Sequence, residues 1–281
     1  MKPWIIVIGM FCATPARCAG PLAATGDTWP IARGDSALSG TTQARIPEKP
    51  VLRWRHNAGS KLLAAPVIQT GMVYVAGSDG VVQALRLADG APIWTFKAEA
   101  GIEASPLLAD GGLYVGDLDG RLHALDPATG HRRWTATTEG QILGGPNWAP
   151  GPPALVLVGS YDNRLHAFDA ATGARVWAYE TANYVNGIPA IGDGVALVGG
   201  CDERVHIVAL SNGVGRAAVP AGSYVAASPA VRGNQAYVGH YQGEVLGLDI
   251  VRGSVLWRFR PESAPPFYAS VAATATRVLA T

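Results

Sequence analysis

Tryptophans recur at a nearly fixed spacing along most of this chain of 281 residues. The spacing is 40 residues between the first three, 43 to the fourth and 80 to the fifth, at Trp54, Trp94, Trp134, Trp177 and Trp257. Ala217 stands where the missing member of this series would fall. Self-similarity at a fixed period is typical of folds built from repeated units that pack on their neighbours.

Two other residue types keep the same register. A proline opens each unit, at Pro66, Pro106, Pro146, Pro189 and Pro229. An acidic residue, or in one unit a Gln, lies 15 residues before each Trp or Ala217, at Asp79, Asp119, Asp162, Asp202 and Gln242. Three markers with one period indicate five complete units followed by part of a sixth.

Each unit has the pattern of four short β-strands. Runs such as MVYVAG at 72–77 and RLHALD at 121–126 are strongly β-forming. Turns such as Asp79-Gly80 supply the positive φ that tight hairpins need, and no helical period is present. We therefore predict an all-β fold, a β-propeller of four-stranded antiparallel blades. The predicted blades span about 62–96, 102–136, 142–179, 185–220 and 225–259, with a partial sixth blade at 268–281.

The first 20 residues differ from the repeats. Lys2 precedes an apolar run from Trp4 to Ala13, which is too short to span a bilayer, and small residues follow. This pattern predicts a signal peptide at 1–20, although an ordinary apolar first strand is the alternative. We expect an extended lead-in at 21–44, a propeller at 45–281, and a periplasmic or secreted protein that does not span the membrane. Cys201 is then the one remaining cysteine.

Two units share the phrase Ala-x-Asp-x-x-Thr-Gly-x-x-x-Trp. Its residues are Ala124, Asp126, Thr129, Gly130 and Trp134, and then Ala167, Asp169, Thr172, Gly173 and Trp177. The Asp can close a turn by accepting backbone N–H groups, and the Gly allows the chain to reverse. The Trp, like Trp94 and Trp257 in their units, can then pack on the next blade.

The phrase resembles the tryptophan-docking repeat of the PQQ-like, quinoprotein-type β-propeller family. This family includes quinoprotein alcohol dehydrogenases, the outer-membrane assembly factor BamB and many uncharacterised exported proteins. The resemblance covers about residues 45–281, although one unit keeps Gly213 alone of the phrase and has Ala217 for Trp. It implies a ring of seven or eight blades, from which this chain would be truncated. It also implies that a strand at 50–56 closes the last blade of the full ring.

The resemblance also implies what a quinone site would need. Family enzymes stack the quinone between a Trp and, commonly, an adjacent Cys-Cys disulfide, and they hold Ca²⁺ beside an Asp base. This chain has no adjacent cysteines. We therefore expect no cofactor and assign no catalytic, cofactor-binding or metal residues. PQQ with Ca²⁺ is expected only if the chain is a fragment of a quinoprotein dehydrogenase.

Histidines occupy one position in three successive units, at His123, His166 and His206. Because equivalent atoms on diverging blades lie too far apart to share a metal, we expect half-exposed strand positions rather than a metal centre. The repeated Asp79, Asp119, Asp162 and Asp202 are interpreted as hairpin residues.

Aromatic residues of the second half fall on one predicted face, where the turns between second and third strands meet the connections between blades. They are Tyr161, Tyr184, Tyr224, Tyr241, Phe267 and Tyr268. Exposed aromatics on one face predict a binding surface. The alternative is that Tyr184, Tyr224 and Tyr268 fill joints between inner strands. Trp148 is predicted to lie on the opposite face, as a separate contact.

The net charge of +1 makes nucleic acid an improbable partner. A complete set of structural motifs without a catalytic set favours an exported non-enzymatic scaffold that binds protein or cell-envelope partners. Two alternatives stay open: a fragment of a PQQ-dependent quinoprotein dehydrogenase, and a carbohydrate-binding propeller.

Overall fold

The computed structural model of the chain describes residues 4–6, 28–45, 47–262 and 266–281. Those residues form β-strands, turns and loops, with no α-helix among them. Five four-stranded antiparallel sheets follow one another along the chain, and each is hydrogen-bonded in sequence order from its first strand to its fourth. The predicted fold class, an all-β propeller with five complete blades and part of a sixth, is confirmed.

The strand bounds of the first three blades are as follows. Blade one contains β3 (Val67–Gln69), β4 (Met72–Ala76), β5 (Val81–Arg86) and β6 (Pro92–Lys97). Blade two contains β7 (Leu107–Ala109), β8 (Gly112–Gly116), β9 (Arg121–Leu125) and β10 (Arg132–Thr137). Blade three contains β11 (Asn147–Ala149), β12 (Leu155–Gly159), β13 (Arg164–Asp169) and β14 (Arg175–Glu180).

The remaining strands complete the set. Blade four contains β15 (Ala190–Gly192), β16 (Val195–Gly199), β17 (Arg204–Ala209) and β18 (Gly215–Pro220). Blade five contains β19 (Ala230–Arg232), β20 (Gln235–Gly239), β21 (Val245–Asp249) and β22 (Ser254–Phe259). Two-stranded sheets are formed by β23 (Ala272–Ala273) with β24 (Val278–Leu279), and by β1 (Trp4–Ile6) with β2 (Arg55–Asn57).

The joints between blades are built around the repeated tryptophans. The indole N–H of Trp94 donates to the carbonyl of Pro127 in the next blade at 3.0 Å, and its ring lies against Gly130. A Cβ at Gly130 would come within 2.5 Å of that ring, and φ there is +73°. Glycine is therefore required both by the backbone and by the neighbouring ring. Trp54, Trp134 and Trp177 make the same two contacts in their joints.

The turns before Gly130 and Gly173 are each held by an aspartate. Asp126 accepts the backbone N–H groups of Ala128 and Thr129, both at 3.0 Å. Asp169 accepts the equivalent pair in blade three. Since each carboxylate accepts two local N–H groups, hydrogen bonds within the turn hold the backbone conformation on which the tryptophan of the preceding blade packs.

The lead-in lies along the inner strands of the blades. Backbone N–H groups of Ile68, Leu108, Ile191, Val231 and Ala273 donate to carbonyls between positions 29 and 39, and Asn147 reaches Ser36 with its side chain. This one segment therefore contacts all five blades and the sheet of β23 and β24. Residues 31–37 depart from the expected extended lead-in: they form turns and bends, in which the Gly34 N–H donates to the Ile31 carbonyl and the Leu38 N–H donates to the Asp35 carbonyl.

The strand after Trp54 lies outside blade one. Trp54 docks on Gly90 as the other tryptophans dock in their joints, so β2 takes the place of a fourth strand preceding blade one. Its partner in the sheet is β1, with Ile5 opposite His56. The predicted signal peptide falls outside the described residues except for 4–6, and it stays a prediction.

Candidate functional site

The predicted aromatic face is organised by one repeated backbone contact. The first residue of each turn between second and third strands donates its N–H to the connection from the preceding blade. Tyr161 donates to Gln141, Cys201 to Tyr184 and Tyr241 to Tyr224, all at 3.0 Å. Each turn side chain is thereby placed beside a side chain of the connection. We call five residues the tyrosine face. They are the four tyrosines of these turns and connections, Tyr161, Tyr184, Tyr224 and Tyr241, together with Tyr268.

The tyrosine face contains two ring clusters. Tyr161 and Tyr184 are stacked nearly parallel, with centroids 4.5 Å apart and planes 4° apart. Tyr241 meets Tyr224 and Tyr268 edge-on, at 6.4 and 5.0 Å. Hydrogen bonding between Tyr241 and Tyr268 raises the pKa of Tyr268. The exposed fractions of Tyr184, Tyr224, Tyr241 and Tyr268 are 44%, 48%, 46% and 60%, so large parts of these rings face solvent.

The first two blades present a different surface at the same positions. Ser78 donates to Lys61 and Leu118 donates to Gly101, both at 2.9 Å, so the backbone contact is the same. None of these four residues is aromatic. The tyrosine face is thus confined to blades three to five and the connection after blade five.

Two predicted aromatic contacts lie in the interior. Phe267 is 8% exposed, and its Cβ lies against Gly239 as Val225 lies against Gly199. The prediction of Phe267 on the binding surface was wrong because it takes the buried position at the base of the connection. Trp148 is 4% exposed on inner strand β11, so it is not the separate surface contact that was predicted.

The three repeated histidines are buried rather than half-exposed. His123 and His166 are 0% exposed and His206 is 3% exposed. Each contacts a carboxylate through Nε2: His123 with Asp117 at 2.9 Å, His166 with Asp162 at 2.8 Å and His206 with Asp202 at 2.9 Å. The expectation of half-exposed histidines was wrong because the hydrogen bond to a carboxylate offsets the desolvation cost of burying the imidazole.

The hairpin aspartates therefore have a second role. Burial alone would raise the pKa of Asp162, but hydrogen bonds from the Glu139 N–H and from His166 hold it below its usual value. Asp202 likewise accepts the Ala182 N–H and contacts His206. The Asp-x-x-x-His spacing of 162–166 and 202–206 was the signal in the sequence that could have revealed these pairs.

One group of side chains among the described residues has metal-ligand geometry. Ligand atoms of Glu99, Asp117 and His123 all lie within 4.8 Å of one another. Each already has a protein partner: Glu99 accepts from Arg132 at 2.8 Å, and Asp117 accepts two backbone N–H groups besides contacting His123. The cluster is a satisfied ion-pair network, and it carries no metal assignment.

The residues present do not fit a quinone cofactor. Cys201 is the one cysteine in the described part of the chain, so an adjacent disulfide cannot form there. The inner strands enclose the lead-in, whose Ile31 and Leu38 are 0% and 1% exposed. Apolar side chains packed at this depth provide neither a stacking platform nor cation ligands.

The chain is similar to known proteins both in sequence and in fold. A family model described as outer membrane protein assembly factor BamB matches residues 47–142 and 118–267. The solved structure of BamB from Moraxella catarrhalis is 24% identical, with a TM-score of 0.69 over 82% of this chain and 72% of that chain. No curated protein matches the sequence.

Two other solved structures share the fold. The computationally designed Ika8 protein is 16% identical, with a TM-score of 0.70 over 83% of this chain and 71% of that one. A quinohemoprotein alcohol dehydrogenase from Pseudomonas putida HK5 is 17% identical, with a TM-score of 0.70 over 84% of this chain and 48% of the dehydrogenase. At these identities the likeness shows the fold alone. In the part of the chain that is described, no helix has the length and apolarity to cross a membrane.

Proposed function

Because the chain belongs to the PQQ-like propeller family of the outer membrane protein assembly factor BamB, we propose that it is an exported, non-enzymatic scaffold that binds protein partners of the cell envelope. The observation that carries this proposal is the tyrosine face, where four rings in its two clusters are each at least 44% exposed. Tyrosine is enriched among the residues that dominate protein–protein binding energies.

The geometry of the rings suits protein recognition. Each ring is already held by another, as in the stack of Tyr161 on Tyr184, so little side-chain freedom remains to be lost on binding. A tyrosine also offers an apolar face and a hydroxyl at its tip. A partner can therefore bury the rings and still hydrogen-bond at the edge of the contact.

The test uses position-specific crosslinking in the native host. A photoreactive residue is placed at Tyr224 and, as the matched control, at Val251, which is 64% exposed in the turn at the opposite end of blade five. We expect one defined envelope protein to crosslink at 224 and not at 251. Purified partner should then bind the double variant Tyr184→Ala, Tyr224→Ala at least about 30-fold more weakly, and Val251→Ala normally. Unchanged binding by a folded double variant contradicts the proposal.

Export is tested separately. The proposal of export is supported by the leader-like pattern of the first 20 residues. Fractionation of cells should find the wild-type protein in the periplasm or medium. Ile6→Asp, which places a charge in the apolar run, should retain the protein in the cytoplasm. Wild type found in the cytoplasm at full length would exclude this part of the proposal and leave partner binding to be judged on its own.

The quinoprotein alternative has a direct test. It is supported by the shared fold with the dehydrogenase, but the residues present do not fit the cofactor. We expect PQQ with Ca²⁺ to cause no saturable quenching of tryptophan fluorescence. Saturable quenching with a defined stoichiometry would restore the enzyme hypothesis.

Carbohydrate binding would use the same tyrosine face. Soluble envelope oligosaccharides are the probe, with Tyr184→Ala as the variant. Saturable binding that Tyr184→Ala abolishes would replace protein partners with glycans as the ligand class. We expect none, because the stack of Tyr161 on Tyr184 already covers one face of each ring.

A further inference from the structure

The connection between the first two strands of blade three differs from its counterparts. In the other four blades this connection has two residues, as in Asp110-Gly111 and Asp193-Gly194. In blade three it has five, Pro150 to Ala154, which we call the proline loop. Residues 150–153 of the loop, Pro-Gly-Pro-Pro, are all exposed. The chain therefore presents three proline rings to solvent at a place where the other blades have a tight turn.

The base of the proline loop is held by hydrogen bonds. Asn147 is 0% exposed, and its side chain donates to the carbonyls of Ser36 and Pro189, both at 2.7 Å. At the other end of the loop, the Ala154 carbonyl accepts the Ala170 N–H at 2.9 Å. Since each proline also fixes its own φ, the loop loses little conformational freedom when it binds a partner.

The polar groups of the proline loop are mainly unpaired acceptors. Residues 150–153 make no hydrogen bond within the described part of the chain. Three of the four are prolines, which have a carbonyl but no N–H. The loop therefore offers apolar rings together with free carbonyls, and a surface that fits it supplies aromatic rings and hydrogen-bond donors. Proline-rich segments are recognised on aromatic side chains of this kind.

The tyrosine face has the complementary chemistry. Tyr184 is 44% exposed, and its hydroxyl makes no hydrogen bond to any described residue. The stack on Tyr161 holds the Tyr184 ring in one orientation, with the planes 4° apart. Tyr184 thus offers an ordered aromatic surface and a hydroxyl donor, which are the two groups that the proline loop lacks.

The proline loop and this part of the tyrosine face lie at opposite ends of one strand. The strand β12 begins directly after Ala154 and ends two residues before Tyr161. Its five residues rise about 17 Å. A second copy displaced along β12 therefore brings its proline loop onto Tyr161 and Tyr184 of the first copy, without a rotation.

We propose that the proline loop of one copy docks on Tyr161 and Tyr184 of another, so that copies of the chain stack head to tail. The proline rings lie against the exposed tyrosine surface, and the Tyr184 hydroxyl donates to a loop carbonyl. Because the two surfaces differ and lie on opposite faces, each copy can use both, and the stack grows in one direction. The inference goes beyond the proposed scaffold function and does not require it, since an envelope partner bound at Tyr184 would displace the second copy.

The experiment is sedimentation velocity of the purified full chain over a series of concentrations. We expect self-association with a Kd on the order of 0.1 mM, since one loop buries less area than a standard interface. The proline variant combines Pro150→Ser, Pro152→Ser and Pro153→Ser, and the tyrosine variant is Tyr184→Ala. Each should raise the Kd at least about tenfold, because it removes one side of the contact.

Each variant has a matched control at an exposed position of the same face. Val251→Ala, 64% exposed in a turn of blade five, is the control for the proline variant. Tyr268→Ala, 60% exposed, is the control for the tyrosine variant. Both controls should associate as wild type does, and circular dichroism shows whether all four proteins are folded.

A mixture of the two variants gives a second, independent test. The proline variant retains Tyr184, and the tyrosine variant retains the proline loop, so one contact can form between them and none within either alone. We expect each variant by itself to sediment as a monomer. The mixture should form a one-to-one dimer that grows no further, whereas wild type should proceed to longer assemblies.

Three results would overturn the proposal. They are a wild type that stays monomeric at about ten times the expected Kd, association that persists in both variants, and a mixture that does not associate. If a variant does not fold, a photoreactive residue placed at Gly151 of the otherwise wild-type chain decides. Its crosslink between copies should lie at residue 161 or 184, and a crosslink elsewhere contradicts the proposal. Because the purified chain contains no envelope partner, failure here leaves the proposed function to its own test.

Discussion

Ala217 lies so close to Gly253 that a Cβ added to the glycine would be 2.5 Å from the alanine Cβ. In the four joints that have a tryptophan, the atoms nearest to the equivalent glycine belong to the indole ring. The joint between blades four and five has therefore lost the ring and closed by a nearer approach of the two backbones. Gly253 keeps the left-handed conformation of the docking glycines, with φ of +65°.

A prediction follows for Ala217→Trp. Restoring the residue of the repeat should lower the free energy of unfolding by about 1–3 kcal/mol, because the contracted joint has no room for an indole. Urea denaturation followed by circular dichroism measures the change. A higher midpoint than wild type would show instead that the joint retains space for the ring.

Trp134→Ala should be among the most destabilising substitutions in the chain. The indole packs on Gly173 and donates to Ala170 at 3.1 Å, so truncation leaves a void and an unpaired carbonyl. We expect a loss of about 3–5 kcal/mol in the free energy of unfolding. Trp257→Ala is the control, because Trp257 is already 38% exposed, and it should cost about 1 kcal/mol. Equal losses would refute a special role of the docked ring.

Ile31→Ala tests whether the lead-in is part of the core. Ile31 is 0% exposed, so its truncation should lower the free energy of unfolding by about 2–4 kcal/mol although it precedes the first blade. Gln43→Ala, at an exposed position of the same segment, should change stability by less than about 0.5 kcal/mol. Thermal melting of both variants decides. A neutral Ile31→Ala would mean that the blades stand without the segment.

The buried histidines predict a pH dependence of stability. Burial lowers the pKa of His166 and His206 below the ordinary value of 6.5, against the opposing effect of their aspartates. Below pH 6.5 the unfolded chain then binds more protons than the folded one, so stability falls as pH decreases towards the folded pKa. Above pH 6.5 their contribution is fully present.

The measurement is the unfolding midpoint in urea between pH 7.5 and pH 5. His206→Gln should flatten the slope, since it removes a titrating group while Gln can still donate to Asp202. Gln43→Ala, which removes no titrating group from an exposed position, is the control and should leave the slope unchanged. A wild-type midpoint that rises on acidification would contradict the prediction.

The features of the fold that could be predicted from the sequence are local ones that repeat. The docking contact joins Trp94 to Pro127, 33 residues away, and that interval recurs in the next blades with little change. A periodic contact leaves a periodic trace in the sequence. Tyr161 and Tyr241 hold the same position of their turns, and Tyr184 and Tyr224 hold the same position of their connections, so these four could be placed on one face for the same reason.

The features that could not be predicted are of two kinds. Some are contacts that occur only once in the chain, and others arise because a neighbouring side chain has no group to offer. Residues 28–41 contact all five blades and the sheet of β23 and β24, but no residue type marks these contacts, because they are made by backbone carbonyls. The burial of Phe267 depends on a connection that is two residues longer than the others: Phe267 follows Trp257 by ten residues, whereas Val185 follows Trp177 by eight. The Nδ1 of His166 has no hydrogen-bond partner because two alanines coincide, and neither Ala136 nor Ala178 is unusual by itself.

The lead-in has a consequence for the order of folding. A ribosome releases this segment before any blade, yet Arg33 donates to the carbonyl of Val271, 238 positions later. The contacts of Trp29 with β3 and of Pro30 with β7 involve the first two blades and can form early, whereas those of Arg33 with Val271 and of Ser39 with Ala273 require the sheet of β23 and β24. The segment therefore completes its binding to the inner strands only after the chain up to residue 273 has been synthesised.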